Sequence, residues 1–415
     1  MNMLVIIMQQ FMLNAKECNK MQYDILTISD LHWGVINENK HEDELEFIFE
    51  FLNYYTPDLI VIAGDYFDLK LYLNSGRTIK ALHWFDRLYN TAKSKGVKAI
   101  RIFLGTLSHD ADQLEVFRKY EDETGFFKYF NICTTEETLP GLQCLYCPDE
   151  IMSTKKYILT YTDKLLNEND IGFFHGSFDV VLRQDIDILS LEDTDDELSA
   201  ITSVTFPMNY FMKLVTYGFI GGHWHDGKQY EHIYYTGSPT RWHYNEDEPK
   251  GMGFIRVDTE TKEYFYQKIL NPLAPQYITF EFNPNEIIPE NLSNELNLLF
   301  DTILMTQNSY SEDNIECNIR IVIYEEESNT LSQNAIRIIR DHYVNQSNIV
   351  IRVKSKKKKD KKKEKVQIEE KEENYSFIQD KNVSLATQIY EFIKTKYGEE
   401  VPIDYIETLI TKFSK

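Results

Sequence analysis

The sequence predicts an α/β layered domain, and three observations carry that expectation. Short, almost wholly apolar runs recur along the chain. Helical stretches separate the first three of them, and each run ends in a polar loop. The runs are YDILTIS (23–29), DLIVIAGD (58–65), VKAIRIFLG (97–105), IGFFHG (171–176) and YGFIGG (217–222). Apolar runs of this length bounded by loop residues read as buried strands. EDELEFIFEFLNYY (42–55) and RTIKALHWFDRLYNTAKSKG (77–96) repeat apolar residues at spacings of three and four, as a helix with one buried face does. Strand, helix, strand, helix, strand is the order of an α/β domain, whose sites gather in the loops after the carboxyl ends of the strands.

The later elements yield to the same reading. The acidic, irregular stretch 181–210 reads as an excursion or lid between two strands. HIYYTG (232–237), MGFIRVD (252–258) and KEYFYQKI (262–269) read as antiparallel strands that finish a first domain spanning 21–272. From YITFEF (277–282) onward, a helix around 289–305, NIRIVIYE (318–325), a helix over 331–344 and NIVIRVK (348–354) spell a β-α-β-α-β module, a separate small domain over 273–353. A charged linker, 354–376, opens with KSKKKKDKKKEK and reads as a solvated tether, or as a nonspecific phosphate-binding tail. Residues 377–415 read as two short amphipathic helices, too small to fold alone and therefore in need of a partner surface.

Composition narrows the class. A chain of 415 residues exceeds one ordinary core, so two or three domains are expected. An apolar content of 42% with 13% aromatics excludes a disordered chain. The net charge of −22 argues against binding through a broad basic field, although a bound metal or local patch reverses the sign where a phosphate docks. The five cysteines include one C-x-x-C, Cys144 and Cys147, but no second pair at zinc-site spacing, so they read as idle thiols in a reducing compartment. Residues 1–20 lack the basic start of a leader and are too short in apolar run to span a bilayer; they read as an upstream extension ahead of Met21. The expectation is a soluble, cytoplasmic protein without membrane association.

Each of the five strand-ending loops carries His or Asp. They hold Asp30 and His32; Asp65 and Asp68; Ser108, His109 and Asp110; His175; and His223 and His225. Singly, each is an ordinary polar residue or a turn or helix cap. Jointly they fit a two-metal site, which needs three or four N/O donors per ion and one bridging group. A mixed imidazole and carboxylate set suits manganese, iron or zinc, whereas magnesium prefers oxygen throughout. Gly64 and Gly222 allow the backbone to turn sharply just ahead of the candidate ligands.

Taken in order, DLH (30–32), GDYFD (64–68), SHD (108–110), HG (175–176) and GHWH (222–225) resemble the calcineurin-like metallophosphoesterase pattern. Two further features resemble the SbcD-type branch, the nuclease subunits of bacterial and phage double-strand-break repair complexes. One is YYTGSPTRWHYNEDEPKGMGFI (234–255); the other is the small α/β module after it. The resemblance implies a layered β-sandwich flanked by helices, with a small α/β capping domain and C-terminal helices. It implies two divalent ions, with Mn2+ favoured. Asp30, His32 and His225 would hold the first ion, Asp65 would bridge, and His175 and His223 would hold the second. His109 would donate a proton to the leaving sugar oxygen and Asp110 would orient it.

The implied activity is that of a DNA exonuclease and endonuclease working with an SbcC-type coiled-coil ABC ATPase. The ATPase would dock through 377–415, and homodimerisation would use the helical layer near 77–96. The family has Gly-Asn-His followed by an acid, where this chain has GTLSHD (105–110), with two residues added after Gly105. Ser108 then falls in the slot of the asparagine that binds the second ion. The other readings are a metallophosphoesterase acting on nucleotides or phosphoproteins, and a weakly active scaffold of a repair complex.

Overall fold

Strands covered on both faces are rich in apolar residues, and the first three runs are so apart from a few buried polar positions, of which Asp24 pairs with Arg256 and Arg101 with Glu136. In the computed structural model, β1 (Gln22–Ile28), β2 (Leu59–Ala63) and β3 (Ala99–Phe103) lie side by side and parallel in a six-stranded sheet. Parallel β4 (Phe127–Phe130) forms one edge, and β13 (Gly251–Asp258) and β14 (Tyr264–Leu270) continue the other side antiparallel. The structure is described over residues 22–35, 38–72, 75–110, 112–148, 169–178, 205–206, 208–244, 246, 248–312, 315–325 and 330–355, with Thr387.

A second six-stranded sheet contains β5 (Thr134–Leu139), β6 (Leu142–Cys147), β7 (Asn169–His175), β10 (Val215–Gly222), β11 (Gln229–Tyr230) and β12 (Ile233–Tyr235). Its four inner strands, β6, β7, β10 and β12, are parallel, and β5 and β11 pair antiparallel at the edges. β8 (Ser177–Phe178) pairs with β9 (Thr205–Phe206) beside it.

Side chains along a strand alternate between faces, and the alternation builds the layers. Tyr23, Ile25, Leu59, Val61, Ala63 and Phe103 face the second sheet and meet Tyr146, Phe173, Tyr217 and Ile220 there. Leu26, Ile28, Ile60, Ile62, Ile100 and Ile102 face the other way, toward the helices. The helical cover consists of α1 (Glu38–Glu44), α2 (Glu46–Tyr54) and α3 (Gly76–Lys95). The single helix expected over 42–55 is two helices, broken at Leu45. In α3, the Ser75 hydroxyl accepts from Thr78 N at the start, and Gly96 at φ 85° closes the end. Its buried residues Ala81, Trp84, Phe85, Leu88 and Ala92 keep the predicted spacing.

Two sequence readings change. Residues 232–237 were expected to continue an antiparallel finish, but β12 lies parallel to β10 in the second sheet. The cause is packing: Ile233 and Tyr235 join Phe174 and Phe219 on that sheet's outer face, while Tyr234 points into the sandwich. The strands β4, β5 and β6 had no counterpart in the sequence reading. β5 (TTEETL) is polar because it is an edge strand, its burial only partial. The cysteines among the described residues are buried and free, and burial pushes the Cys144 thiol up to about 12, as suits an unreactive group.

The later part forms β15 (Gln276–Phe282), α4 (Leu292–Ser311), β16 (Cys317–Glu325), α5 (Thr330–Tyr343) and β17 (Ile349–Ser355), in the expected β-α-β-α-β order. Its three strands are parallel, in the order β15-β16-β17. Leu296, Leu299 and Ile303 of α4 and Ala335, Ile336 and Ile339 of α5 cover Ile319, Ile321 and Ile323. The module has its own core but shares one compact unit, Met1–Lys356, with the preceding sheets; Lys357–Lys415 is the second unit. Arg241 Nη1 donates to Pro275 O at 2.9 Å and Lys40 pairs with Glu316 at 2.6 Å across the junction. Residues 1–20, most of the acidic stretch 181–210, the charged run beyond 355 and the two helices read within 377–415 lie outside the described residues, Thr387 apart. Among the described residues, no helix is long and apolar enough to cross a membrane.

Phe85 is fully buried and packs its ring against Tyr66, Phe117 and Phe127. Phe85→Ala is expected to cost about 3–5 kcal/mol, read as a lower urea midpoint at unchanged slope. A loss below about 1 kcal/mol would show that this aromatic cluster does not anchor the helices to the sheet.

Candidate metal centre

Parallel strands bring their carboxyl ends to one edge, and all the candidate ligands come at or just after such ends. Asp30 and His32 follow β1, Asp65 follows β2, and His109 and Asp110 follow β3. His175 ends β7, and His223 and His225 follow β10. The loops are tied to each other by backbone. Asp30 N donates to Gly64 O (3.2 Å), His32 N to Asp65 O (3.0 Å) and Trp33 N to Tyr66 O (2.9 Å). The approach is close enough that two glycines are obligatory. A Cβ on Gly64, itself at φ 75°, would lie 2.5 Å from the His175 ring, and one on Gly222 would lie 2.5 Å from Asp30 Oδ2.

The donors fall into adjoining groups: Asp30, His32 and His225; His32, Asp65 and His109; and Asp65, His175 and His223. In each, the donor atoms lie within 4.8 Å of one another. In the first group His32 Nδ1 bonds the Asp68 carboxylate (3.1 Å) and His225 Nδ1 bonds Glu246 Oε1 (2.9 Å). Each Nδ1–H is thereby engaged, so the two Nε2 lone pairs face each other across 3.0 Å. That arrangement is unfavourable unless a cation lies between, and donors about 2.1 Å from one ion and about 90° apart stand about 3 Å from each other. In the last group His175 Nδ1 donates to Ala63 O (2.8 Å), which leaves Nε2 facing Asp65 Oδ2 at 3.1 Å. The donor set therefore fits divalent cations.

Electrostatics point the same way. Burial pushes the Asp65 carboxyl up, but the positive charge of His175, with its hydrogen bond, and then of His32 and His109 outweighs burial when these rings are protonated and holds its pKa far below the usual range; a bound cation would take the place of those protons. Burial and then the neighbouring His175 lower His223 to about 4, and burial lowers His32. Burial opposes the charge on His225 as well, yet the Glu246 hydrogen bond wins and raises it. Neutral His32 and His223 and ionised Asp65 are the protonation states that bind metal.

Three assigned roles need correction or addition. Asp110 does not orient His109. Its carboxylate is wholly buried and accepts from Phe67 N and Gly105 N, both at 2.9 Å, so it pins the loops after β2 and β3 together. Burial and then the Asp65 charge raise its pKa to about 7. His109 is instead held by Asp68, whose carbonyl oxygen accepts from His109 Nδ1. Ser108 is exposed, and the residue beside Asp65 and His175 is Thr106. The two added residues bulge outward after Thr106, so the position next to Gly105 stays in the site. Glu246 and Lys250 escaped sequence reasoning. Lys250 Nζ, fully buried, bonds Glu246 Oε2 (2.9 Å) and His225 O (2.8 Å). Their only cue was the spacing of four, a Glu and Lys in a loop far beyond the last ligand.

Glu246 supplies a pH-dependent prediction. Burial raises its carboxyl, but His225 and Lys250 outweigh burial and hold it at about 2, against 4.5 when unperturbed. Its contribution is present above 4.5 and is lost as pH falls to about 2; the contribution of the raised His225 is present below 6.5 and lost as pH rises through its folded value. In metal-free protein, Glu246→Gln is expected to destabilise by on the order of 2 kcal/mol, most strongly near roughly pH 6. Denaturant unfolding across pH 3–8 measures the gap, and a flat profile would sink the ion-pair account.

Comparison with known proteins places this geometry. Residues 23–227 match the family model of the calcineurin-like phosphoesterases, a span that holds all five ligand loops. No curated protein matches the chain. Residues 23–227 thus form a calcineurin-like metallophosphoesterase domain, a metal-dependent hydrolase of phosphoesters.

Proposed function

We propose that the chain is a manganese-dependent DNA exonuclease and endonuclease of the SbcD type, cutting phosphodiester bonds in repair or recombination with an SbcC-type ATPase. The observation that supports this best is the pair of donor groups, Asp30/His32/His225 and Asp65/His175/His223, joined through His32 and Asp65. Two divalent ions held there would clamp one phosphate, activate the attacking water and offset the charge that develops.

The chain's own residues supply the rest. His109 is one-third exposed in its side chain and rigidly placed, with Nδ1 donating to the Asp68 carbonyl. In the imidazolium form, Nε2–H would hand its proton to the departing sugar oxygen and leave the ring neutral. Glu246 and Lys250, which belong to the glycine-serine-proline region that resembles the SbcD branch, keep His225 in place. The α/β module after the domain is a second feature in favour of a nuclease subunit over a phosphoesterase for small substrates. The ATPase partner docked through 377–415 and a homodimer formed through the α3 layer belong to the same proposal. With a net charge of −22, DNA binding by this chain alone is expected to be weak and to fall steeply with salt.

The test uses 3′- and 5′-labelled duplex and single-stranded DNA with manganese, magnesium or chelator. Manganese-dependent cleavage is expected, and His109→Ala should slow it by about 10²–10⁴-fold while metal binding persists. Intact DNA alongside hydrolysis of bis-p-nitrophenyl phosphate would move the substrate to nucleotides or phosphoproteins. Bound metal with neither substrate cut would favour the scaffold reading.

A further inference from the structure

Three donor atoms after β2, after β3 and at the end of β7 form a triangle. Asp65 Oδ2 lies 3.1 Å from His175 Nε2 and 3.2 Å from Thr106 Oγ1, and Thr106 Oγ1 lies 3.4 Å from His175 Nε2. These edges match one face of the shell around an ion whose donors stand about 2.1 Å from it, where neighbouring donors are about 3 Å apart. Asp65, His175 and His223 provide three donors, fewer than an ion of the manganese type takes, and a neutral oxygen adds a donor without adding charge.

The hydroxyl is held in place. Thr106 N donates to Asp65 Oδ1 at 2.6 Å, and the preceding Gly105 N donates to Asp110 Oδ2 at 2.9 Å. Backbone on both sides of the residue is thus pinned to buried carboxylates, and the branched side chain has few rotamers. Ser108 is exposed two residues further on.

The two ion positions also differ in what stands behind their ligands. His32 is backed by the Asp68 carboxylate and His225 by the Glu246 carboxylate, whereas His175 is backed by the Ala63 carbonyl. A carboxylate behind an imidazole makes it the stronger donor.

We propose that Thr106 Oγ1 is a ligand of the ion position made by Asp65, His175 and His223, and that this position, completed by a neutral hydroxyl and with no carboxylate behind His175, is the weaker and more exchangeable of the two. The inference rests on the two-ion reading of the site. The experiment is a titration of metal-free protein with Mn2+, followed by the electron paramagnetic resonance of free Mn2+ and by calorimetry. Wild type is expected to bind two ions, the second about tenfold more weakly. Thr106→Val, which keeps the shape and removes the hydroxyl, should weaken the second site about tenfold more and leave the first within about twofold. Thr106→Asn should tighten the second site, and Ser108→Ala should change neither.

Thr106→Ser, which keeps a hydroxyl, and Thr106→Ala, which does not, repeat the comparison, so a Thr106→Val chain that failed to fold would not end the test. Unchanged second-site affinity in a folded Thr106→Val or Thr106→Ala variant, or a loss of it in Ser108→Ala, would overturn the assignment of Thr106 and leave the two-ion reading standing. Wild type that binds fewer than two ions would overturn the two-ion reading itself.

Discussion

Asp65 keeps a negative charge while almost wholly buried, and the surrounding structure is arranged around that charge. Burial alone raises its pKa. His175, His32 and His109 reverse the balance, and they do so from three different loops. Their positions require β1, β2, β3 and β7 to end together, the first three in one sheet and the fourth in the other. The sandwich between the sheets is therefore part of the site, because Tyr23, Val61 and Phe103 packing on Phe173 and Ile220 fixes how closely the strand ends approach. The same closeness excludes a side chain at Gly64.

Holding the ligands strains the backbone. Among the described residues, six other than glycine have positive φ, and four of them are candidate ligands: Asp30 at 53°, His32 at 46°, Asp65 at 47° and His223 at 103°. Asp and His tolerate the left-handed region better than most residues, but each such position still costs on the order of 1–3 kcal/mol. The hydrogen bonds from Asp30 N, His32 N and Trp33 N to the loop after β2, and from His223 N to the Asp30 carboxylate (3.0 Å), offset part of it. The ligands are then fixed before any ion arrives, and an ion meets donors already spaced for it.

The loop after β3 shows how position is set by attachment and not by counting back from a recognisable histidine. Counting from His109 puts Ser108 in the ligand slot. The chain instead leaves the strand at Gly105 with its amide on Asp110, places Thr106 against Asp65, and spends the extra length on an exposed turn. The two buried carboxylates take the backbone amides as they leave β3, so the insertion has no effect on Thr106 and displaces only the residues beyond it.

By itself the sequence determined which segments are buried strands, the α3 helix with its buried face, the β-α-β-α-β order of the module, and the identity of the histidines and aspartates in the strand-ending loops. These were legible because both-face burial makes a strand predominantly apolar and because ligands must carry particular atoms. Tertiary structure alone decided the rest. It made β12 a parallel member of the second sheet, broke the 42–55 helix at Leu45, and gave the polar edge strand β5 a partner. It also turned Asp68 and Glu246 toward the imidazoles and set Thr106 beside Asp65 and His175, with Ser108 exposed. Each of these depends on which residues a fold brings within about 3 Å of one another from far apart in the chain. A hydrogen-bond partner supplied across that distance leaves no periodicity or spacing to read.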